Sequence, residues 1–263
     1  MKFTPKEINE EISNGEPETL RSFLKAILIL AVVIGILAVC LNEIVSLFLM
    51  RMTYQQEKKF LGETSKFYDR HTFQDDVLTR IKNDLIKNNE ELKSFIEIKL
   101  LCSDDMNAYA LPGGRILISS ELIKLLDTEN ALATVIAHEI GHIYHRHHLK
   151  NISYQMSWRI ILTVLSQTQS TGFVDSFVNL HSLSYSRDHE SEADIFAKSK
   201  MLSEYGHLNG ANQFFEELIK KDDFDLSFMS THPGNEERLD FFTAEHDDET
   251  VSLDKESILQ ACL

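Results

Sequence analysis

His138-Glu139-Ile140-Gly141-His142 places two imidazoles and a carboxylate within five consecutive residues. On a helix, His138 and His142 stand one turn apart and face the same way. Two neutral ring nitrogens suit a borderline metal such as zinc, and Glu139 sits where it can take the proton of a water held between them. That is the beginning of hydrolase chemistry, and it needs a third ligand. The bland counterpart is a histidine-rich helix end, since His145-Arg146-His147-His148 follow and cations near a helix C-terminus are ordinary.

Two residues compete for the third place. In metzincins a histidine six positions after the second one fills it, and His148 stands there. That arrangement needs glycine at position 145 to turn the chain out of the helix, and the residue is His145. His148 is therefore expected to point away. The other candidate is Glu190, within Tyr185-Ser186-Arg187-Asp188-His189-Glu190-Ser191-Glu192-Ala193-Asp194. On a helix, Glu190 and Asp194 are again one turn apart and share a face with Ala193 and Ala197, whose small side chains permit close helix approach. Glu190 would complete a His, His, Glu set with one position open. Asp194 could accept a hydrogen bond from the free ring nitrogen of one histidine and fix its tautomer. Glu192 is expected on a solvated face.

The elements that must position these groups can be read from spacing. Asn130 to His148 carries Leu132, Val135, Ile136, Ile140 and Ile143 largely at helical spacing, with Asp127 or Thr128 as cap and Glu129 at the positive end of the dipole. Gly141 costs about 1 kcal/mol in a helix interior, so something is expected to pack closely there. Upstream, Asp75–Lys87 reads as a helix ended by Asn88-Asn89, and Phe95–Leu101 as a half-buried strand. Asn107–Leu111 and Arg115–Ser119 bracket the turn Pro112-Gly113-Gly114, and Ser119 or Ser120 caps a short helix over residues 121–126. Downstream, Ile152–Leu165 is amphipathic and is read as a core helix, with a membrane-facing helix or a lid as alternatives; Gln167, Thr168 and Gln169 break it.

The chain of 263 residues is 43% hydrophobic and 25% charged, which describes a folded protein with one sizeable core and appendages. A net charge of −15 excludes a nucleic-acid partner held by a basic stripe. Residues 1–22 form a polar tail. Ala26–Leu41 has no charge and apolar character resumes from Ile44 to Met50, so a span within residues 23–49 can cross a bilayer core, which takes roughly 20 residues. A long acidic leader without a small-x-small cleavage site argues for a retained, single-pass anchor. Flanking basic residues do not decide its orientation; an outward-facing (periplasmic or extracytoplasmic) catalytic part is preferred from the single-anchor architecture. A connector (50–74), a zinc metalloprotease domain (75–245) and a C-terminal tail (246–263) complete the division. Of three cysteines, Cys40 lies in the apolar run. Cys102 and Cys262 could be bridged in an oxidising compartment, but are read as free buried thiols.

Together, His138–His142, Glu190–Asp194, Asn107-Ala108-Tyr109-Ala110-Leu111-Pro112-Gly113-Gly114 and Thr231-His232-Pro233 with Arg238 resemble the gluzincin metallopeptidase family of HtpX, the CAAX prenyl proteases and BepA. The resemblance spans roughly residues 75–245. It implies an α+β, mostly helical zincin-type domain with a small sheet, one zinc held by His138, His142 and Glu190, Glu139 as base, and Asp194 behind the ligands. It further implies that Asn107, Ala108, Tyr109 and Ala110 form an edge strand binding a polypeptide substrate, and that His232 and Arg238 face the site. An edge strand has physical reason for such a role, because its unpaired N–H and C=O groups accept any extended backbone. His232 could steady an oxyanion or occupy the open position as a latch; Arg238 could instead be a structural ion pair. The pattern departs from the multi-span members, since one anchor precedes a compact domain. It is nearer to BepA without its helical repeats. The expected function is hydrolysis of peptide bonds in misfolded or membrane-associated proteins; the alternative is a silent zinc-binding or chaperone-like protein blocked by His232.

Overall fold

The computed structural model describes residues 20–62, 69–166, 184–220, 231–232, 238, 240–243 and 250–263. Nearly all of the polar tail, the middle of the connector, Gln167–Gln169 and Pro233 lie outside these residues. In chain order the elements are α1 (Leu20–Met50), α2 (Tyr54–Leu61), β1 (Thr72–Phe73), α3 (Asp76–Leu85), α4 (Glu90–Phe95), β2 (Glu97–Leu101), β3 (Ala108–Leu111) and β4 (Arg115–Ser119). There follow α5 (Ser120–Leu125), α6 (Glu129–Tyr144), α7 (His147–Ser166), α8 (Arg187–Glu204), α9 (Gln213–Lys220) and α10 (Lys255–Leu259). The architecture is α+β and mostly helical, as the sequence implies.

The sheet runs β1-β2-β4-β3, with β2 and β4 parallel and the other two pairings antiparallel. β3 and β4 form the hairpin expected around Pro112-Gly113-Gly114, in the register Ala108 opposite Ile118 and Leu111 opposite Arg115. Gly113 and Gly114 have φ of 78° and 79°, the left-handed region where a Cβ is strained. A Cβ on Gly113 would also lie 2.6 Å from the Gly62 backbone. β3 is therefore an edge strand, but a covered one: Ala108, Tyr109, Ala110 and Leu111 are each no more than 3% exposed.

α6 is the central helix. Ala131 N–H donates to Thr128 Oγ1 at 3.2 Å, making Thr128 the cap, while Asp127 instead pairs with Lys255. Every residue from Asn130 to Ile143 is buried, because α3, α8, α9 and the sheet surround the helix. The sequence reading carried this helix on to His148; it ends at Tyr144 instead. Arg146 takes φ 58°, costly for a residue with a Cβ, and its guanidinium is held 4.6 Å over the Tyr54 ring and bonded to Glu57 Oε2 at 3.2 Å.

Glu57, on α2, is fully buried and ties three elements together. It accepts from Gly113 N–H in the hairpin turn, from Arg146 and from His148 Nε2 at 2.7 Å. Burial alone would raise its carboxyl; the His148 charge and hydrogen bond, with Gly113 and Arg146, hold it below the usual range. His148 is thus turned away from His138 and His142, as expected. The reason differs, however: the chain does leave the helix here without a glycine, and Glu57 claims the imidazole.

α1 is the one helix among the described residues long and apolar enough to cross a membrane, with 31 residues and a mean hydropathy of 3.0 over its apolar window. Its less exposed residues, Ile34, Ala38, Leu41, Asn42, Val45, Ser46 and Leu49, form a stripe at helical spacing that lies against α7. Ser153 donates to Asn42 Oδ1 at 3.3 Å within this contact. The reading of 152–165 as a core helix is therefore corrected: α7 lies along the apolar helix, leaving Tyr154, Trp158 and Ile160 exposed. Periodicity alone does not say which partner a helix face has.

The C-terminal segment closes on the start of α6. Glu129 N–H donates to Val251 O at 2.8 Å and Leu253 N–H to Asp127 O at 2.9 Å. It ends in a disulfide between Cys102 and Cys262, with Cα atoms 5.5 Å apart. The free-thiol expectation is thereby corrected. Cysteines 160 residues apart carry no sequence signal of proximity; β2 and α10 bring them together. Unreduced, denatured chain is expected to present one reactive thiol, Cys40, and Cys102→Ser to lower unfolding stability by about 2–4 kcal/mol. Three titratable thiols in the unreduced chain would contradict the pairing.

Candidate metal centre

Helix α6 supplies His138, Glu139 and His142, and α8 supplies Glu190 and Asp194. Ser186 caps α8 by accepting from His189 N–H, setting Glu190 and Asp194 on the face turned to α6. Gly141 explains the close crossing. A Cβ there would lie 3.0 Å from Ala193 Cα and 3.1 Å from its carbonyl oxygen, so both small residues are needed where the helices meet. Gly141→Val is expected to push α6 from α8, cost about 1–3 kcal/mol by overpacking, and reduce bound metal, measured by denaturation and ion counting.

The donor atoms converge. His138 Nε2 lies 3.0 Å from His142 Nε2, and Glu190 lies 3.5 Å and 3.4 Å from the same two atoms. Corners of a tetrahedron with bonds of 2.0–2.1 Å lie roughly 3.3 Å apart, so these three donors fit one zinc ion. His232 joins them: its Nδ1 is 3.0 Å from Glu190 Oε1 and 3.4 Å from His138 Nε2. All four residues are buried, with ligand atoms within 4.8 Å of one another.

Glu139 is buried beside them, and neither carboxyl oxygen has a hydrogen-bond partner among the described residues. His232 Nε2 lies 3.6 Å from its Oε1 across the site. Burial pushes its carboxyl up. An unsatisfied buried carboxylate is costly, and its place next to a metal-sized donor set is what a water-handling group requires.

Behind the donors, Asp194 Oδ1 lies 2.8 Å from His138 Nδ1, the partner expected of it. Arg238 grips Asp194 with two bonds of 2.8 Å and pairs with Glu190 at 2.9 Å. Burial and the Arg238 charge push His138 down, but hydrogen bonds to Asp194 and Glu190 outweigh them and hold it up at about 9. Burial drives His142 far the other way. Glu190, despite burial, is held well below the usual range by the His232 charge and by hydrogen bonds from His138, His142 and His232.

Two neighbours, Tyr185 and His147, have no role assigned from the sequence. The Tyr185 ring stacks on His142 with centroids 3.7 Å apart, and its hydroxyl donates to Ala110 O at 3.5 Å, joining site and edge strand. His142 Nδ1 lies 2.9 Å from His147 Nδ1, and His147 Nε2 lies 2.8 Å from Glu192. Glu192 is therefore engaged as well as half-exposed. Of the implied substrate strand, Asn107 lies just before β3 and its amide donates to Thr231 Oγ1 at 3.3 Å, next to His232. Only the paired histidines of the HExxH pattern hinted at any of this; Tyr185 and His147 bear no motif.

A family model described as Peptidase family M48 matches residues 74–246. The chain is 30% identical over 144 residues to the mitochondrial metalloendopeptidase OMA1 of Arabidopsis thaliana, covering 54% of this chain and 30% of that protein. It is 29% identical over 130 residues to the beta-barrel assembly-enhancing protease of Yersinia pestis, covering 44% and 27%. To the protein of that name in Escherichia coli K12 it is 25% identical over 185 residues, covering 63% and 38%. It thus spans well under half the length of each of these relatives.

Proposed function

The chain belongs to peptidase family M48, and from that premise we propose a membrane-anchored zinc endopeptidase with His138, His142 and Glu190 as ligands. The observation that carries this is three donors at zinc spacing beside the unpartnered Glu139 carboxylate. Bound zinc supplies Lewis-acid polarisation of water and of the scissile carbonyl. Glu139 takes the proton of the attacking water and returns it to the leaving nitrogen as the C–N bond breaks, leaving a carboxylic acid and an amine. Asp194 holds His138 Nε2 toward the ion by accepting at Nδ1, and Arg238 holds Asp194 and Glu190 rather than touching substrate. Backbone groups of residues 107–110 receive an extended peptide, which must displace what covers them, including the Tyr185 bond to Ala110 O.

Residues 23–49 are assigned as the anchor and 75–245 as the catalytic domain. The Cys102–Cys262 disulfide supports a catalytic part on the oxidising, extracytoplasmic side. Misfolded or membrane-associated proteins are the proposed substrates, in line with relatives described as a mitochondrial endopeptidase and an assembly-enhancing protease. The purified chain is expected to cleave an unstructured protein, to stop on chelation and to recover with zinc; cleavage indifferent to chelator would sink the reading.

Two observations favour a second reading. His232 sits among the donors and the edge strand is covered, which supports a latched or silent site. His232→Ala discriminates. A latch predicts faster cleavage by tenfold or more, an oxyanion-steadying role a loss of about 10²–10³-fold, and a silent protein no cleavage by either form.

A further inference from the structure

The turn between α6 and α7 gathers a second group of metal-binding side chains. With Arg146 in the left-handed region, His145 and His147 project to the same side, their rings nearly parallel at 12° with centroids 5.4 Å apart. Glu192, from the outward face of α8, brings its Oε2 to 2.8 Å from His147 Nε2. His145, His147 and Glu192 each offer one ligand atom, all within 4.8 Å of one another. The Glu192 side chain is 51% exposed and His145 is half-buried, so an ion can arrive from solvent, while the buried His147 is rigidly placed. Arg146 is drawn away to Glu57; Lys150, whose Nζ lies 3.5 Å from His189 Nε2, is the opposing cation nearby and limits affinity. Two imidazoles and a carboxylate suit zinc-class ions rather than calcium or magnesium.

We propose that His145, His147 and Glu192 form a second zinc-class site whose filling weakens the central one. The weakening rests on the reading of His142 as a central ligand. His142 Nδ1 and His147 Nδ1, 2.9 Å apart, can hold only one proton between them. When His142 coordinates through Nε2, its Nδ1–H donates to His147, which then carries its own proton on Nε2 and donates to Glu192. An ion on His147 Nε2 takes that position. A neutral imidazole so bound carries its proton on Nδ1, and two N–H groups then face each other. Each ion therefore disfavours the other, and the coupling is reciprocal.

Equilibrium dialysis of the full chain against zinc alone, with ions counted by mass spectrometry, tests this. The parent should bind a tight ion and a weaker second one. Both His145→Ala and Glu192→Gln should lose the weaker; the Gln still accepts from His147 but is a poor ligand. Glu190→Ala should lose the tight ion and hold the remaining one about tenfold more firmly, the scale of loss when a ligand's partner is disturbed. A single ion at saturating zinc in the parent, or a second ion undiminished in both turn-site variants, overturns the proposal. Unchanged second-site affinity in Glu190→Ala overturns the coupling. If Glu190→Ala keeps the tight ion, the central reading fails, while the second site is still judged by the other two variants.

Discussion

Glu139→Gln is expected to lower kcat/KM against an unstructured protein by about 10³-fold while leaving bound metal and fold unchanged. General acid–base catalysis contributes about 10²–10⁴-fold, and here one group serves both proton transfers. The substitution is close to isosteric and removes no hydrogen bond to the described residues, since neither oxygen has one among them. It does remove a buried carboxylate whose charged form burial disfavours. Unfolding stability should therefore stay level or rise. This separates chemistry from structure: a rate loss with equal metal content and no drop in melting temperature is the signature of the base. A variant that cleaves as fast as the parent excludes Glu139 from the reaction. One that loses metal as well as rate places the residue among the ligands instead.

How much of this was legible beforehand depends on the distance over which each feature is encoded. α6 was readable because its apolar spacing, its Thr128 cap and the i, i+4 histidines are all local. The α8 ligand face was readable for the same reason, and Gly141 announced a close contact that proved to be Ala193. The β3–β4 hairpin followed from Pro112-Gly113-Gly114, whose two glycines take positive φ. What failed was non-local. No cap or glycine marks the break at Arg146; it is maintained by Tyr54 and Glu57, more than eighty residues upstream. Glu57 reads as an ordinary surface carboxylate of a charged helix until the hairpin, His148 and Arg146 close over it. The short α4 lies in a stretch too brief for periodicity to register, and the strand drawn from Phe95 begins two residues later. α7 has the pattern of a core helix because packing against an apolar α1 selects the same residues as packing against a core. The motif-bearing residues assembled as spaced; their supports, Tyr185 and His147, come from stacking and tautomer partners that leave no spacing rule.

Glu190→Ala should abolish tight zinc binding, lowering affinity by more than about 100-fold, since disturbing even a ligand's partner costs 10–100-fold. His148→Ala should leave it intact. The two histidines of α6 are one turn apart on a single helix and cannot by themselves enclose an ion; in the proposed site the carboxylate from α8, 3.4–3.5 Å from both ring nitrogens, is the third corner. His148 bonds instead to Glu57, so its loss takes one of three donors from a buried carboxylate that keeps Gly113 N–H and Arg146, and should cost about 1.5–3 kcal/mol, the scale for a hydrogen bond to a charged group. Removing Glu190 also takes one contact from His232 and one ion pair from Arg238, although His138 still lies 3.4 Å from His232 and Asp194 still binds Arg238 twice. Metal-free stability should therefore fall in both variants, while metal binding falls in Glu190→Ala alone. Zinc titration followed by chemical denaturation of both variants measures the two losses separately. The opposite pattern, with metal kept by Glu190→Ala and lost by His148→Ala, would move the third ligand to the turn after α6 and dissolve the pairing of α6 with α8 on which the hydrolytic reading stands.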